Sequence, residues 1–152
     1  MSFVDKLNLI KKNNDYEAIV ALIPYAKFIG VETSLVGNDL VSSLAFMQDN
    51  VGNPALPALH GGVIAGFMEN AALFHLIWTV ELVNIPKIID FSIDYLRPGQ
   101  ASTTYSHCEI IRLGRRVALC NVTAWQEDRS KPIAQARGHF LLSENTPLKS
   151  PA

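Results

Sequence analysis

Hydrophobic and polar positions follow three successive patterns along the chain, and each pattern predicts a different kind of element. Residues 1–24 hold two short amphipathic runs with capping signals, which predict an N-terminal helical segment ended by Pro24. Two strands at about 28–36 and 40–46 are expected next, because a Gly-Asn-Asp turn separates two apolar runs. Residues 49–59 carry one glycine and two prolines and are expected to form a loop.

The middle of the chain is apolar on nearly every helical face over residues 61–83, and Pro86 stops the pattern. It predicts one long helix that is buried on most sides. Beyond this helix the hydrophobic period changes to two, which predicts strands. We expect four of them, at about residues 89–95, 102–113, 116–126 and 131–142.

Short turns between these strands favour antiparallel pairing, so the sequence predicts an α+β fold in which a meander packs on the long helix. The 152 residues suit a single domain, with a frayed tail at 146–152. A sheet buries only one side of a helix, and we therefore expect a partner to cover the other side.

Composition and charge argue against several classes of function. The net charge of −1, from 13 basic and 14 acidic residues, provides no field that would attract nucleic acid or an anionic membrane. The hydrophobic content of 49% favours an oligomer. Polar residues at the centre of the apolar stretch argue against a membrane span, and the start of the chain lacks a signal-peptide pattern. Cys108 and Cys120 have no metal-ligand spacing, so we expect no metal site. Two thiols do not make a disulfide framework either, and we therefore expect a protein of a reducing compartment such as the cytoplasm.

Glu69 lies inside the apolar stretch, where an unpaired ionised carboxylate is costly. A chain that keeps a charge in such a place is expected to use it. Its neighbours three, four and seven positions away along a helix are mostly small, and this small-residue stripe comprises Gly62, Ala65, Gly66, Ala72, Leu73 and Leu76. The stripe leaves room for a second helix, for an elongated ligand, or for both. The opposite stripe is bulky and is predicted to face the sheet.

The triplet His60-Gly61-Gly62 stands at the start of the same helix. The first N–H groups of a helix lack internal acceptors, and with the helix dipole they favour developing negative charge. They are candidates for an oxyanion hole, although glycines at a helix start can also be only a turn. Along a helix Gly61 and Glu69 are separated by about 12 Å. If both act on one carbonyl carbon, they must come from two subunits related by a two-fold axis.

These residues resemble a hotdog-fold acyl-CoA thioesterase of the phenylacetate-pathway (PaaI-like) group. The resemblance extends over roughly residues 25–142. Its motifs are the His-Gly-Gly triplet with an acidic residue nine positions after the histidine, the strand end at 93–99, the Gly114-Arg115-Arg116 turn and the closing strand at 132–136.

The resemblance implies an antiparallel sheet wrapped around the central helix, in a homodimer that is often part of a dimer of dimers. It also implies that the Gly61 N–H polarises the thioester carbonyl. Glu69 of the partner subunit would activate water or attack directly. No cofactor is implied, apart from coenzyme A as part of the substrate.

Several positions depart from the family pattern. Members often carry an Asn six residues before the histidine, where this chain has Pro54, and the adjacent Asn53 is the candidate for that thioester contact. The acid is Glu instead of the usual Asp. A helper Ser or Thr one turn after the acid is replaced by Leu73, beside which we expect the acyl tunnel. The positioning of water is left unassigned.

Other polar residues are candidates for substrate contacts. His60 either orients the loop or contacts substrate, with Gly62 beside it. Arg97, Arg115 and Arg116 cluster with Arg112 at strand ends and one turn. They form either a solvated rim or a cradle for CoA phosphates, which suit guanidinium groups.

The sequence therefore predicts an acyl-CoA thioesterase that acts on a small or medium acyl or aryl group. Glu69 would be the general base or the nucleophile, and Gly61 the oxyanion donor. An acyl-carrier-protein substrate is a second possibility for the same chemistry. Two other functions stay open: acyl-CoA binding without turnover, and a hotdog dehydratase or hydratase, whose catalytic histidine stands in a different sequence context.

Overall fold

A computed structural model describes residues 1–142, and it shows a six-stranded antiparallel sheet wrapped around one long helix. The helices are α1 Phe3–Asn13, α2 Tyr16–Ala21, α3 Pro24–Ile29 and α4 Gly61–Thr79. The strands are β1 Val31–Val36, β2 Asp39–Leu44, β3 Val51–Asn53, β4 Ala58–Leu59, β5 Lys87–Tyr95, β6 Thr104–Leu113, β7 Val117–Trp125 and β8 Ala134–Leu141. The predicted α+β class is confirmed, and the predicted frayed tail at 146–152 lies outside the described residues.

The sheet has the strand order β1-β2-β6-β7-β8-β5, and every neighbouring pair is antiparallel. The predicted meander holds for β6, β7 and β8 but is wrong for β5, which pairs with β8 at the far edge. The connection over residues 96–103 is too long for a tight hairpin. Its first two amides, those of Leu96 and Arg97, donate to Ile133 O and hold the chain against the start of β8.

Helix α4 packs its bulky stripe into the core, as predicted. Ile64, Phe67 and Phe74 are each at most 3% exposed, and burying a side chain of this size contributes about 1.5–3 kcal/mol. The helix ends at Thr79, earlier than predicted. Val80 leaves the helical region with φ −103° and ψ 145°, while its N–H still donates to Leu76 O.

The N-terminal helical segment, predicted over residues 1–24, extends to Ile29. Pro24 does not end it, because this proline begins a third helix within its first turn. Proline suits that position, where its fixed φ is already helical and its missing N–H has no intrahelical acceptor. The strand predicted from residue 28 accordingly begins at Val31.

These N-terminal helices cover part of the side of α4 that the sheet leaves open, a role that we had expected a partner to fill. Tyr25 of α3 packs on Gly66. Tyr16 of α2 packs on Trp78 with ring centroids 5.3 Å apart. The chain therefore buries much of its own central helix, and a partner has less of the helix to cover than the pattern suggested.

Candidate active site

The start of α4 is held by a short hairpin of β3 and β4, which lies inside the predicted loop at 49–59. Val51 pairs with Leu59, and the His60 N–H donates to Asn50 O at 2.9 Å. A Cβ on Gly52 would lie only 2.7 Å from Cα of His60, so the hairpin needs glycine to approach this closely. The hairpin thereby fixes the position of the helix start.

His60 is the N-cap residue of α4. Its Nδ1 accepts a hydrogen bond from the Gly62 N–H at 2.9 Å, and its carbonyl accepts from Val63 at 3.0 Å. Two of the first three N–H groups of the helix are thus used within the chain. The remaining one, the N–H of Gly61, has no hydrogen-bond acceptor among the described residues. The histidine makes the contact of a loop-orienting residue, and the Gly61 N–H is the donor that remains for a ligand.

Tyr95, at the end of β5, closes the other side of the helix start. Its hydroxyl donates to Gly61 O at 2.6 Å. Together with Arg97 and neighbouring, mostly apolar residues, Gly61 and Tyr95 line an open groove of about 280 Å³. Sequence reasoning missed Tyr95 as a site residue, although its place directly before the Leu-Arg-Pro-Gly strand end was a signal.

Glu69 lies about two turns further along α4 and is half-buried. No described residue forms a hydrogen bond or an ion pair with its carboxylate, and burial raises its pKa above the ordinary value of 4.5. Helical side chains lean toward the N-terminus, so this carboxylate leans over Ala65 and Gly66. The protein keeps an unpaired, basic carboxylate beside small residues.

The small-residue stripe around Glu69 is open only in its first half. Gly62 is exposed and Ala65 is half-buried, whereas Ala72 and Leu73 are buried within the chain. We call the open part, formed by Gly62, Ala65 and Glu69, the wedge. Leu73 is only 7% exposed, and its predicted position beside the acyl tunnel stays a prediction.

Asn53 stands on the hairpin that carries His60. Its Oδ1 accepts a hydrogen bond from the Ala55 N–H at 3.0 Å, which is an Asx turn. The same side chain is exposed, and its partner across the hairpin is Ala58. The structure therefore places Asn53 near the helix start with its oxygen engaged in the turn, and its thioester contact stays a prediction.

The arginines lie at two opposite ends of the sheet, which corrects the single cluster suggested by the sequence. Arg97 lines the groove at Gly61, and its guanidinium donates to Pro132 O at 2.6 Å. Arg115 and Arg116 lie at the β6–β7 turn, next to the end where Val117 pairs with Leu141. Because β7 has nine residues, roughly 30 Å of strand separates the two ends.

Arg115 and Arg116 line a second groove of about 490 Å³, together with Arg112, Arg137 and His139. Sequence reasoning missed Arg137, because only the pairing of β7 with β8 brings this residue toward the turn. His139 contacts Asp90 at 2.8 Å, and this hydrogen bond holds the pKa of the aspartate below its usual range. We call this groove the arginine cradle, and its charge suits phosphate groups.

Neither metal ligands nor a membrane span are found within residues 1–142. No three His, Cys, Asp or Glu side chains in this range come close enough together to hold a metal ion. No helix in the same range is long and apolar enough to cross a membrane. His75 lies near the far end of α4, where it contacts His107 with ring centroids 6.0 Å apart, and burial lowers its pKa.

Comparison with known proteins agrees with this fold. Residues 51–141 match the family model of the acyl-CoA thioesterase N-terminal domain. The medium/long-chain acyl-CoA thioesterase YigI of Salmonella typhimurium is 29% identical over 141 residues, which cover 83% of this chain and 90% of YigI. A crystal structure of a Chromobacterium violaceum protein is 44% identical, has a TM-score of 0.77, and covers 93% of this chain and 98% of its own. A phenylacetic acid degradation-related protein from Ralstonia eutropha has the same fold at 20% identity, with a TM-score of 0.69 over 78% of this chain and 89% of its own.

The chain therefore belongs to the acyl-CoA thioesterase family, and its family match includes the hairpin, α4 and the strands that follow. It has the hotdog fold and is a thioester hydrolase. The resemblance stated from the sequence is confirmed in family, fold and class of enzyme.

Proposed function

We propose that the protein hydrolyses medium-chain acyl-CoA thioesters at sites formed across a homodimer. Medium chains are common to the sequence expectation of a small or medium acyl group and to the name of YigI, a medium/long-chain enzyme. One observation carries the proposal. The helix whose first N–H has no acceptor also carries Glu69, a half-buried carboxylate without a partner among the described residues.

The separation of Gly61 and Glu69 supports a site made by two subunits. They are about 12 Å apart along α4, so they cannot both reach one carbonyl carbon from the same helix. The wedge is a part of α4 that the sheet and the N-terminal helices leave incompletely buried. An antiparallel second copy of α4 against the wedge would bring Glu69 of the partner subunit toward the Gly61 N–H.

The edge strand β5 supports the same pairing. It is nine residues long, and Ile89 on this strand is 54% exposed. A long edge with exposed apolar residues is a template for pairing with another strand. Antiparallel pairing of β5 with its copy would join the two six-stranded sheets and cover these residues. Further pairing of such dimers, as the family resemblance implies, is part of the proposal.

This pairing would also give the arginine cradle a role. A two-fold axis across β5 places the Lys87 end of one strand beside the Tyr95 end of the other. Since the β6–β7 turn lies at the Lys87 end, Arg115 of the partner subunit would approach the groove at Gly61. We assign the cradle to the CoA phosphates and Arg97 to the path between them and the thioester.

The chemistry follows from these positions. The thioester oxygen accepts a hydrogen bond from the Gly61 N–H as negative charge develops on it. Glu69 of the partner subunit either takes a proton from the attacking water or attacks the carbonyl carbon itself. The C–S bond then breaks. When water attacks, CoA leaves as the thiol with the proton that Glu69 took from that water, and the acid is released. When Glu69 attacks, CoA takes its proton from solvent, and a water then hydrolyses the acyl–Glu69 anhydride, which releases the acid and restores the carboxylate. Because burial raises the pKa of Glu69, its carboxylate is a stronger base than an exposed one.

The free thiols of Cys108 and Cys120 fit the reducing cytoplasm in which we expect this reaction.

The test replaces Glu69 with glutamine and measures release of free CoA from esters ranging from acetyl-CoA to palmitoyl-CoA. We expect a loss of about 10²–10⁴-fold, the usual contribution of general-base catalysis. Glu127→Gln, in the exposed turn before β8, is the matched control. Turnover retained by Glu69→Gln would refute the assignment.

The products separate the remaining functions when they are analysed by mass spectrometry. Free CoA with the released acid indicates hydrolysis. An intact thioester whose mass has changed by one water indicates a dehydratase or hydratase. Bound but unchanged thioester indicates a binding protein.

A further inference from the structure

We propose that Tyr25 forms a wall of the acyl pocket beside Glu69, so that helix α3 sets the acyl-chain preference of the enzyme. The inference rests on the proposed function and goes beyond it. It assigns acyl selection to a named side chain outside the central helix.

The aromatic ring of Tyr25 lies directly on the backbone of α4 at Gly66. A Cβ on Gly66 would be 3.0 Å from Cε1 of Tyr25 and 3.2 Å from its hydroxyl oxygen. Such distances are shorter than ordinary van der Waals contact, so the ring packs into space that the glycine leaves free. Tyr25 remains 48% exposed. Part of its surface packs on the helix, and the rest faces open space.

Glu69 lies on the same face of α4, three positions after Gly66. Helical residues three positions apart have Cβ atoms about 5–6 Å apart, and the Glu69 side chain leans back toward Gly66. The phenol of Tyr25 and the carboxylate therefore border the same space. Gly62 and Ala65 flank this space and are too small to fill it.

One hydrogen bond and two buried residues define the helix surface beside this space. The Asn70 side chain donates from Nδ2 to Gly66 O at 2.8 Å, which holds the backbone beneath the ring. Asn70 and Leu73, which continue the helix surface, are buried. A group that extends from a carbonyl held near Glu69 therefore meets a bulky ring on one side and closed surface beyond it. The volume left for the acyl group depends on the size of residue 25.

The location of Tyr25 in the sequence suits a selectivity residue. The family match covers residues 51–141, which include Gly61 and Glu69 but exclude the whole of α3. The proposed reacting groups thus lie within the residues that the family model matches, and the wall is supplied by a segment outside that match. Such an arrangement allows acyl preference to change without change in the catalytic residues.

The test compares Tyr25→Ala, Tyr25→Phe and Tyr25→Trp on saturated acyl-CoA esters from butyryl to palmitoyl. Phe28→Ala is the matched control, because Phe28 is an aromatic residue of the same helix that is 78% exposed. In Tyr25→Ala we expect kcat/KM for chains longer than the wild-type optimum to rise by about fourfold for each methylene that the enlarged pocket buries. Tyr25→Trp should move the optimum to shorter chains. Tyr25→Phe and Phe28→Ala should keep the wild-type profile.

Three outcomes would refute the assignment of Tyr25 as a wall of the acyl pocket. An unchanged profile in both Tyr25→Ala and Tyr25→Trp would show that the acyl group does not reach the ring. An equal loss at every chain length would place Tyr25 on the pantetheine arm. The same loss in Tyr25→Phe as in Tyr25→Ala would assign the effect to the hydroxyl group instead of the ring.

A binding measurement tests the role of Tyr25 in the acyl pocket without turnover. Alkyl-CoA thioethers, which cannot be hydrolysed, are titrated by calorimetry into Glu69→Gln with Tyr25 or with Tyr25→Ala. The second protein should bind longer alkyl chains relatively more tightly, and equal length dependence would overturn the inference. Failure of the proposed function has a different result, because Glu69→Gln would then retain turnover whatever residue stands at position 25.

Discussion

Replacing Gly61 with proline would remove the N–H that the start of α4 offers to the substrate and would preserve the helix. Proline is favoured at the first helical position, where no intrahelical acceptor is lost. The residue before a proline must be extended, and His60 already has φ −64° and ψ 131°. The substitution therefore deletes one hydrogen-bond donor with little demand on the surrounding backbone.

The expected magnitude follows from the chemistry of that donor. Loss of one oxyanion-hole donor lowers kcat by about 10²–10³-fold, and we expect Gly61→Pro to fall in this range with KM little changed. Gly61→Ala is the matched control because it keeps the N–H and adds a Cβ 3.3 Å from the Tyr95 ring. If that contact weakens the hydrogen bond from Tyr95 to Gly61 O, the cost is about 1 kcal/mol, or roughly fivefold.

The assay measures initial rates of CoA release over a range of medium-chain acyl-CoA concentrations, with thermal unfolding as a check on folding. Gly61→Pro should be about 20- to 200-fold slower in kcat than Gly61→Ala, which is the ratio of the two estimated losses. Equal kcat values in the two variants would refute the assignment of the Gly61 N–H as the oxyanion donor.

Two further predictions concern charge. Burial raises the pKa of Glu69, so the folded state holds this proton more tightly than the unfolded state, and stability falls as pH rises from about 4.5 through the raised pKa. Glu69→Gln should therefore have a higher Tm than wild type at pH 7 and a similar Tm below pH 4.5, and a Tm advantage that grows on acidification would contradict this. Arg115→Ala and Arg116→Ala should raise KM for acyl-CoA, most at low salt, and leave KM for an acyl-pantetheine unchanged, with Lys6→Ala as the control. Equal effects on both substrates would remove these arginines from phosphate binding.

Local pattern was sufficient for the central helix and for placing the two main candidate residues, Gly61 and Glu69, on it. An apolar run of this length with glycines at its start has few alternatives to a buried helix, and Glu69 is conspicuous because charge is rare there. The rise of a helix then separates Gly61 from Glu69 without any knowledge of the fold. Features that depend on one helix can be predicted in this way.

Features that depend on contacts between distant segments could not be predicted from pattern. The pairing of β5 with β8 follows from a connection that crosses the end of the sheet, and no periodicity encodes it. A proline can either end or begin a helix, and only packing shows that Pro24 begins one here. Tyr25 and Tyr95 are brought to the candidate site by contacts with Gly66 and Gly61, which are 41 and 34 residues away.

The positions of the arginines illustrate the same limit. Arg97 and Arg115 are both near strand ends in the sequence, but these strand ends lie at opposite ends of the sheet. Their distance became clear only from the strand registers. A single groove that contains both arginines requires the second subunit, so a test of how the substrate site is formed is also a test of the dimer.

A heterodimer with one Glu69→Gln subunit and one Gly61→Pro subunit decides whether each site is formed by two subunits. The two chains are co-expressed with two tags and purified on both. If Gly61 and Glu69 of different subunits form each site, one site of the heterodimer carries both substitutions and the other carries neither. The account predicts about half of wild-type activity, although each parent homodimer is nearly inactive. Activity no higher than that of the parents would show that each site takes both residues from one chain, and would contradict the account.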